Sequence, residues 1–315
     1  MTNFRFVSIS DLVTDIYYDK NLKLIGADGG ITAHNIICNL EYFGFKTFAF
    51  GVCGNDPLGK ISINSLKDCN VDNDILIRND IKTKAFHIRR VIDNNKYAYR
   101  SVKRCPFCDT KFWYEGSFID PEYILKKIKK DDILVFDNLN DKNQFIIDNS
   151  SNLKLIDLGI SKEFDELSKD EIIKKISNKF EIVNLNERVE KYLIEKLNCT
   201  DSIGLSKIFN SKLLLITRGK RGNEFVFNNK KYIFPLKEVI EEVDDSCAGD
   251  AFFSTIIKNW ANNNFEIKEE YFEEWFNDTS ILIKKILRLV GSRRHIKKLY
   301  KITYKDICNC SLKKG

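Results

Sequence analysis

The chain has 315 residues, enough for one large α/β domain or two small ones, and its 43% hydrophobic content allows a sizeable core. Fifty-one Lys and Arg against 45 Asp and Glu leave a net charge of only +6, scattered along the sequence. That is the pattern of a solvated mixed surface, and it argues against nucleic acid as a partner, which calls for a clustered basic face. No apolar run approaches about 18 residues, so no membrane span is expected. Met1–Ser10 lacks a basic start, an apolar stretch and a small-residue cleavage site. Without a secretory signal, the nine cysteines are expected to be reduced thiols or metal ligands in a cytoplasmic protein.

In chain order, the first strand-like run is Phe4–Ser10, followed by Asp11 and Asp15. Gly29-Gly30 comes next, and Asn35 opens a helix-period segment with Ile36, Ile37, Leu40 and Phe43 on one face. Thr47–Gly51 reads as a strand and runs into Gly51-Val-Cys-Gly54-Asn-Asp56-Pro-Leu-Gly59. Ala85–Val91 and Lys96–Val102 alternate apolar with polar residues around Asp93-Asn94-Asn95, which predicts a hairpin with one wet face. Ile133–Asp137, Leu153–Leu158, Phe180–Asn184 and Leu213–Thr217 are further strands. Leu213-Leu-Leu-Ile216 is apolar on both faces, as in the centre of a helix-covered parallel sheet. The alternation predicts a doubly wound α/β fold with a mostly parallel central sheet flanked by helices. No internal repeat or low-complexity linker divides the chain.

The segment with the most chemistry is Val243-Asp-Asp-Ser-Cys-Ala-Gly-Asp-Ala-Phe252. Ala248 and Gly249 precede an apolar helical stretch carrying Phe252, Phe253, Ile256, Ile257 and Trp260. A turn of small residues entering a helix presents backbone N–H groups at a positive dipole end, which suits a phosphate. Asp250 in that first turn could take the proton of an attacking hydroxyl while those N–H groups hold charge on a transferred phosphoryl group. The plainer reading is a helix capped by Asp245 or Ser246, with Asp250 complementing its dipole.

This segment resembles the carboxy-terminal signature of the ribokinase-like (PfkB) family, Asp-Thr-x-Gly-Ala-Gly-Asp-x-Phe, through Asp244, Ala248, Gly249, Asp250 and Phe252. Cys247 stands where the first glycine of the anion hole is usual; it still offers a backbone N–H if its φ is negative, and a positive φ would cost about 1 kcal/mol or more. Gly29, Gly30 and Asn35, followed by Leu40 and Phe43-Gly44, are similar to the family's first signature, with one extra residue before the asparagine. Gly51 to Gly59 resembles its Gly-x-x-Gly-x-Asp-x-x-Gly, and Asp11 and Asp15 its opening pair of aspartates. Thr217-Arg-Gly219-Lys-Arg-Gly222 is similar to the turn that approaches the ATP phosphates. Glu181 to Glu190 resembles the Asn-x-x-Glu segment that organises Mg²⁺. Asn184 with Glu187 has that spacing, while Asn186 sits better relative to the strand and leaves Val189 at the acidic position. The resemblance then implies Asn186 and Glu187, with Glu187 reaching the metal through water. Gly291-Ser-Arg293 resembles a small-residue turn by the adenine site.

The resemblance runs from about Val7 to about Arg293. It implies one kinase domain over residues 1–315, with a small β lid from about 12–25 and 84–103. The implied reaction moves the γ-phosphoryl group of ATP, with Mg²⁺, to a hydroxyl of a sugar or nucleoside. Asp250 would be the general base, with Gly249, Ala248 and Cys247 in the anion hole. Asp15, Gly29, Gly30 and Asn35 would bind the acceptor, and Asn186, Glu187, Thr217, Gly219, Gly222 and Asp244 the nucleotide side. The alternative is a catalytically impaired ligand sensor or interaction scaffold on the same fold. An exposed edge of the lid sheet would suit a homodimer.

Cys105-Pro-Phe-Cys108 lies outside these signatures. Its spacing is that of a zinc ligand pair, which Cys308-Asn-Cys310 could complete, or of a redox pair; two ordinary thiols in a turn is the leading reading. His34, His87 and His295 are too dispersed for a metal cluster or a nucleophilic triad.

Overall fold

The computed structural model describes residues 4–19, 21, 23–93, 96–102, 117–159, 164–236 and 247–307, with backbone alone from 87 to 102. The first third contains β1 (Phe6–Ile9), β2 (Val13–Tyr18), β3 (Leu24–Gly29), α1 (Thr32–Tyr42), β4 (Thr47–Gly54), α2 (Pro57–Asp68), β5 (Asp72–Arg78), β6 (Lys84–Asp93) and β7 (Lys96–Val102). The middle contains α3 (Pro121–Lys127), β8 (Ile133–Phe136), α4 (Asp141–Asn149), β9 (Leu153–Leu158), α5 (Lys169–Ile176), β10 (Ile182–Asn186), α6 (Glu187–Leu197) and α7 (Ser202–Phe209). The last part contains β11 (Leu213–Thr217), β12 (Asn223–Phe227), β13 (Lys230–Phe234), α8 (Ala248–Asn262), α9 (Phe272–Ile286) and α10 (Tyr304–Ile307).

Nine strands form the main sheet in the order β13-β12-β11-β10-β9-β8-β1-β4-β5. It is parallel from β5 to β11, and only the β11–β12 and β12–β13 pairings are antiparallel. Asn228 and Asn229, at φ 50 and 59, turn that terminal hairpin, as two left-handed residues do in a tight β-turn. One face of the sheet buries Leu134, Phe136, Ile156, Leu185 and Ile216 under α3 to α7. The other buries Phe6, Val135, Leu155, Ile182 and Leu215 under α1, α8 and α9, whose Ile36, Leu40, Phe253, Ile257 and Trp275 fill that layer. Period-2 alternation of strand side chains separates the two cores.

The chain leaves β1 toward β4 and β5, then returns to build β8 to β11 on its other side. The strand order therefore reverses between β1 and β8, and crevices beyond the carboxyl ends of strands at such points are where open α/β sheets bind ligands.

A second sheet has the order β3-β2-β6-β7. Its hairpin β6–β7 lies where the sequence placed one, with Asp93 opposite Lys96. The β3 edge is bonded at Ala27 to Tyr300 in both directions, at 3.0 and 2.9 Å. Strand β2 falls within the lid segment expected at about 12–25, whereas β3, β5, β12 and β13 were not among the sequence expectations. β2 and β3 carry Asp15 and Asp28 within short buried runs, and β5 (Asp72-Asn-Asp-Ile-Leu-Ile-Arg78) is an edge strand with a polar start. The expected strand Phe180–Asn184 is shifted to Ile182–Asn186. No helix among the described residues is long and apolar enough to cross a membrane.

Candidate active site

Helix α8 starts directly at Cys247, whose φ of 67° and ψ of 10° are left-handed. The costly branch of the sequence expectation holds: a Cβ residue occupies a conformation that favours glycine. The first intrahelical bond runs from Ala251 N to Cys247 O at 2.9 Å. The N–H groups of Ala248, Gly249 and Asp250 are thus left over by the helix and point out of its positive end. Gly249 needs no positive φ, and a Cβ built on it would meet nothing within 4 Å among the described residues. What its missing side chain preserves is open space over the helix entrance.

Asp250 is 7% exposed beside that space. Its Oδ2 accepts from Asn35 Nδ2 at 2.8 Å, and the side chains of Thr32 and Cys247 also hydrogen-bond the carboxylate. Burial nevertheless raises its pKa above the usual carboxylate value. A raised pKa makes the group a stronger base for a hydroxyl proton near neutral pH.

Arg293 sets the orientation of Asn35. Its Nε donates to Asn35 Oδ1 at 3.0 Å, which leaves the amide nitrogen facing Asp250. The same guanidinium, 1% exposed, donates to Ser65 Oγ at 2.7 Å and Gly30 O at 3.2 Å. A Cβ on Gly29 would lie 2.5 Å from Arg293 Nη1, and one on Gly30 would lie 2.4 Å from Asp15 Oδ2. Close approach, rather than backbone freedom, therefore requires these two glycines. The positive φ of this turn falls instead on Ile31, at 72° with ψ 134°. A β-branched residue there is a genuine outlier, so both helices aimed at the site begin from a strained non-glycine residue.

Asp15 lies opposite Asp28 in the β2–β3 register, and the hydroxyls of Tyr17 and Ser292 approach its Oδ2 at 3.4 Å each. Burial pushes its pKa up to about 7, partly opposed by Arg293. Asp28 is fully buried; its Oδ1 accepts from Gly29 N, Ser65 Oγ and Lys297 Nζ at 2.7, 2.6 and 2.8 Å. In the turn expected by the adenine site, Ser292 and Arg293 pack against Asp15 and Asn35, because the turn after α9 returns to the second sheet. Asp11 is spent on structure, paired with Lys84 at 2.7 Å and bonded by Ser117 Oγ and Phe118 N. His34 is a buried strap between Ser8 Oγ (2.7 Å) and Ser10 O (3.1 Å), and burial lowers its pKa to about 3.

On the other side of α8, Thr217 ends β11 and a short turn follows. Gly219 adopts φ 55° in the open, whereas a Cβ on Gly222 would fall 2.0 Å from Phe234 O. Arg218 is held by Glu190 and Glu224 at 2.7 and 2.8 Å. Asn186 caps α6, accepting from Val189 N at 2.9 Å, and its Nδ2 donates to Gly159 O. Glu187 is paired with Lys191 and Arg221, cations that hold its carboxyl down at about 2. Both side chains proposed for the Mg²⁺ segment thus have partners already. Asp244, Cys105, Cys108, Cys308 and Cys310 lie outside the described residues. A cleft of about 630 Å³ lined by Lys207, Lys212, Phe227 and Lys268 lies at the amino end of β11, away from all of these groups.

Sequence reasoning missed Thr32, Ser65 and the role of Arg293, none of which carries a local signal. It also missed Asp137 and Asp157, although each is a polar residue at the carboxyl end of an apolar parallel strand, the place where such sheets bind ligands; Asn184, weighed with Glu187 from the sequence, lies within β10 beside Asp157.

A nine-stranded, mostly parallel sheet between helices, with a small second sheet meeting it at the carboxyl strand ends, is the ribokinase fold. Among solved structures, the chain is similar to a fructokinase from Xylella fastidiosa with bound ATP (TM-score 0.73, 13% identity, 91% of this chain and 93% of that one). It is similar to an uncharacterized sugar kinase from Pyrococcus horikoshii, also solved with ATP (TM-score 0.67, 18% identity, 91% and 93%). A third is an aminoimidazole riboside kinase from Salmonella enterica (TM-score 0.68, 14% identity, 93% and 96%). No family model matches the chain, and no curated protein matches its sequence. At these identities the likeness establishes the fold.

Proposed function

We propose that this protein is an ATP-dependent kinase of a small hydroxyl-bearing molecule, a sugar or a nucleoside. The observation that carries the reading is Asp250, a buried carboxylate at the start of α8, beside open space and unspent backbone N–H groups. Asp250 accepts the proton of the acceptor hydroxyl as its oxygen attacks the γ-phosphorus. The N–H groups of Ala248, Gly249 and Asp250 stabilise the charge on the transferred group, and Asn35, fixed by Arg293, holds the base in place. Asp15 accepts hydrogen bonds from other acceptor hydroxyls over the Gly29-Gly30 turn, and the second sheet covers that pocket as a lid. Thr217, Gly219 and Gly222 shape the turn on the nucleotide side. A bound Mg²⁺ would supply charge neutralisation between the phosphates.

Solved neighbours with fructose, inosine or aminoimidazole riboside in their structures support this acceptor class. The strained Cys247 is the observation that favours a second reading, a ligand sensor on the same fold. ATP consumption by wild type and Asp250→Asn over a panel of sugars and nucleosides decides between them. Acceptor-dependent turnover lost in the variant is expected. Turnover surviving in Asp250→Asn would remove the base, and ATP binding without turnover of any acceptor would favour the sensor.

A further inference from the structure

A buried ion pair lies where the segment after α9 crosses the edge of the second sheet. Lys297 Nζ meets Asp28 Oδ1 at 2.8 Å, with side chains 7% and 0% exposed. Replacing such a pair by apolar groups is often neutral or stabilising, so stability alone gives no reason for it. The segment is attached without it. Tyr300 exchanges both backbone hydrogen bonds with Ala27, its hydroxyl reaches Asp68, and Ile302 and Ile307 pack with Ile16, Ala27 and Leu58.

The pair is one end of a continuous hydrogen-bonded chain. Asp28 Oδ1 also accepts from Ser65 Oγ at 2.6 Å. Ser65 Oγ in turn accepts from Arg293 Nη1 at 2.7 Å, so its single proton goes to Asp28. Arg293 Nε donates to Asn35 Oδ1 at 3.0 Å, and Asn35 Nδ2 donates to Asp250 Oδ2 at 2.8 Å. The order Lys297, Asp28, Ser65, Arg293, Asn35, Asp250 therefore has one polarity. Cations alternate with acceptors along it and leave the hydroxyl and the amide a single orientation each. All three nitrogens of Arg293 are spent on neutral oxygens, those of Asn35, Ser65 and Gly30, so these bonds are what locate the guanidinium. Every member from Asp28 to Asp250 is buried, where water does not compete for the bonds.

The chain ties separate parts of the fold together. Asp28 belongs to β3 of the second sheet, Ser65 to α2, Asn35 to α1 and Asp250 to α8. Asp28 also stands opposite Asp15 in the register and accepts from Gly29 N at 2.7 Å, so the same carboxylate fixes the glycine turn. A displacement of β3 from α2 breaks the step from Ser65 to Asp28 and releases the hydroxyl that holds Arg293 Nη1.

We infer that Lys297, Asp28 and Ser65 are positioning residues for the base: through Arg293 and Asn35 they make the orientation of Asp250 depend on the seating of the second sheet against α2. The inference rests on the kinase reading, and its test separates the two. Turnover with an acceptor found in the sugar and nucleoside panel is compared for wild type, Ser65→Ala, Lys297→Met and the double variant, with melting temperatures recorded. Ser65→Ala should lower kcat at least about tenfold and leave the KM of acceptor and ATP within about threefold, since a misaimed base acts on the chemical step. Lys297→Met should lower kcat several-fold with the same split; it lies at the outer end of the chain and carries the test if Ser65→Ala fails to fold. Because both act through one chain, the double variant should be no more than about twofold slower than Ser65→Ala. Ser62→Ala, one turn earlier on α2 and bonded to Val13 O and Thr14 Oγ1, should stay within about twofold of wild type. Losses that multiply in the double variant, a loss confined to the acceptor KM, or an unchanged kcat in Ser65→Ala and Lys297→Met overturns the positioning role and leaves the kinase reading standing. No turnover by wild type with any acceptor overturns both.

Discussion

Cys247→Gly tests whether strain is stored at the entrance of α8. The native residue sits at φ 67°, ψ 10°. Left-handed backbone costs a Cβ-bearing residue about 1–2 kcal/mol. Glycine releases that cost but gives the unfolded chain extra freedom worth about 0.4–1 kcal/mol, so the net gain should be roughly 0.5–1 kcal/mol. The thiol also lies 3.3 Å from Asn35 Nδ2 and hydrogen-bonds the Asp250 carboxylate, and losing these contacts offsets about 1 kcal/mol or more of that gain. Cys247→Ala loses the same contacts while keeping the Cβ, so it isolates the backbone contribution. Urea unfolding with unchanged m-values should rank glycine above alanine by about 1 kcal/mol. Turnover should be retained in Cys247→Gly, since the backbone N–H groups remain. Alanine equal to or more stable than glycine would refute the strain argument.

The raised pKa of Asp15, about 7 against an ordinary 3.8, predicts pH effects on stability and on binding. The folded state holds a proton that the unfolded state releases from about pH 4 upward, so its stabilising contribution is complete below that value and lost as pH rises through about 7. Asp15→Asn should therefore raise the melting temperature at pH 8 by about 5 °C, leave it unchanged below pH 4, and raise the acceptor KM. Gly249→Ala should fold with unchanged or slightly higher stability, because no described residue lies within 4 Å of the added methyl, yet lose at least about 100-fold in turnover if phosphate occupies that space. Arg293→Lys removes the bond that orients Asn35 and should destabilise the fold by about 3 kcal/mol, read by urea unfolding. Arg293→Gln removes a charge that lowers the pKa of Asp15 and Asp250, so the acidic limb of its pH–rate profile should move to higher pH. An unmoved profile would confine Arg293 to a packing role.

Much of the fold was legible because its signals are local. Leu213–Thr217 and Leu153–Leu158 announce buried strands by composition alone, and the small residues before Phe252 announce a helix entrance. The β6–β7 hairpin was legible from alternation. β5 was not, since its Asp-Asn-Asp start hides a strand whose place depends on β4 beside it. Within the site, Asp250, Asp15, Gly30 and Asn35 come together, as the family resemblance implied. Asp11 does not join them, because Lys84, the Ser117 hydroxyl and the Phe118 amide take both its oxygens.

The sequence by itself determined the period of each element, the turn chemistry and the identity of the groups able to carry a proton or a phosphate. The tertiary structure decided which of these are spent and which are left unspent. Arg293 reaches Asn35 across 258 positions, and Asp137, Asp157 and Asn184 become one patch only through strand register. Periodicity and capping are settled within a few residues. A buried charge takes its partner, or its lack of one, from strand order and helix packing that no local window contains.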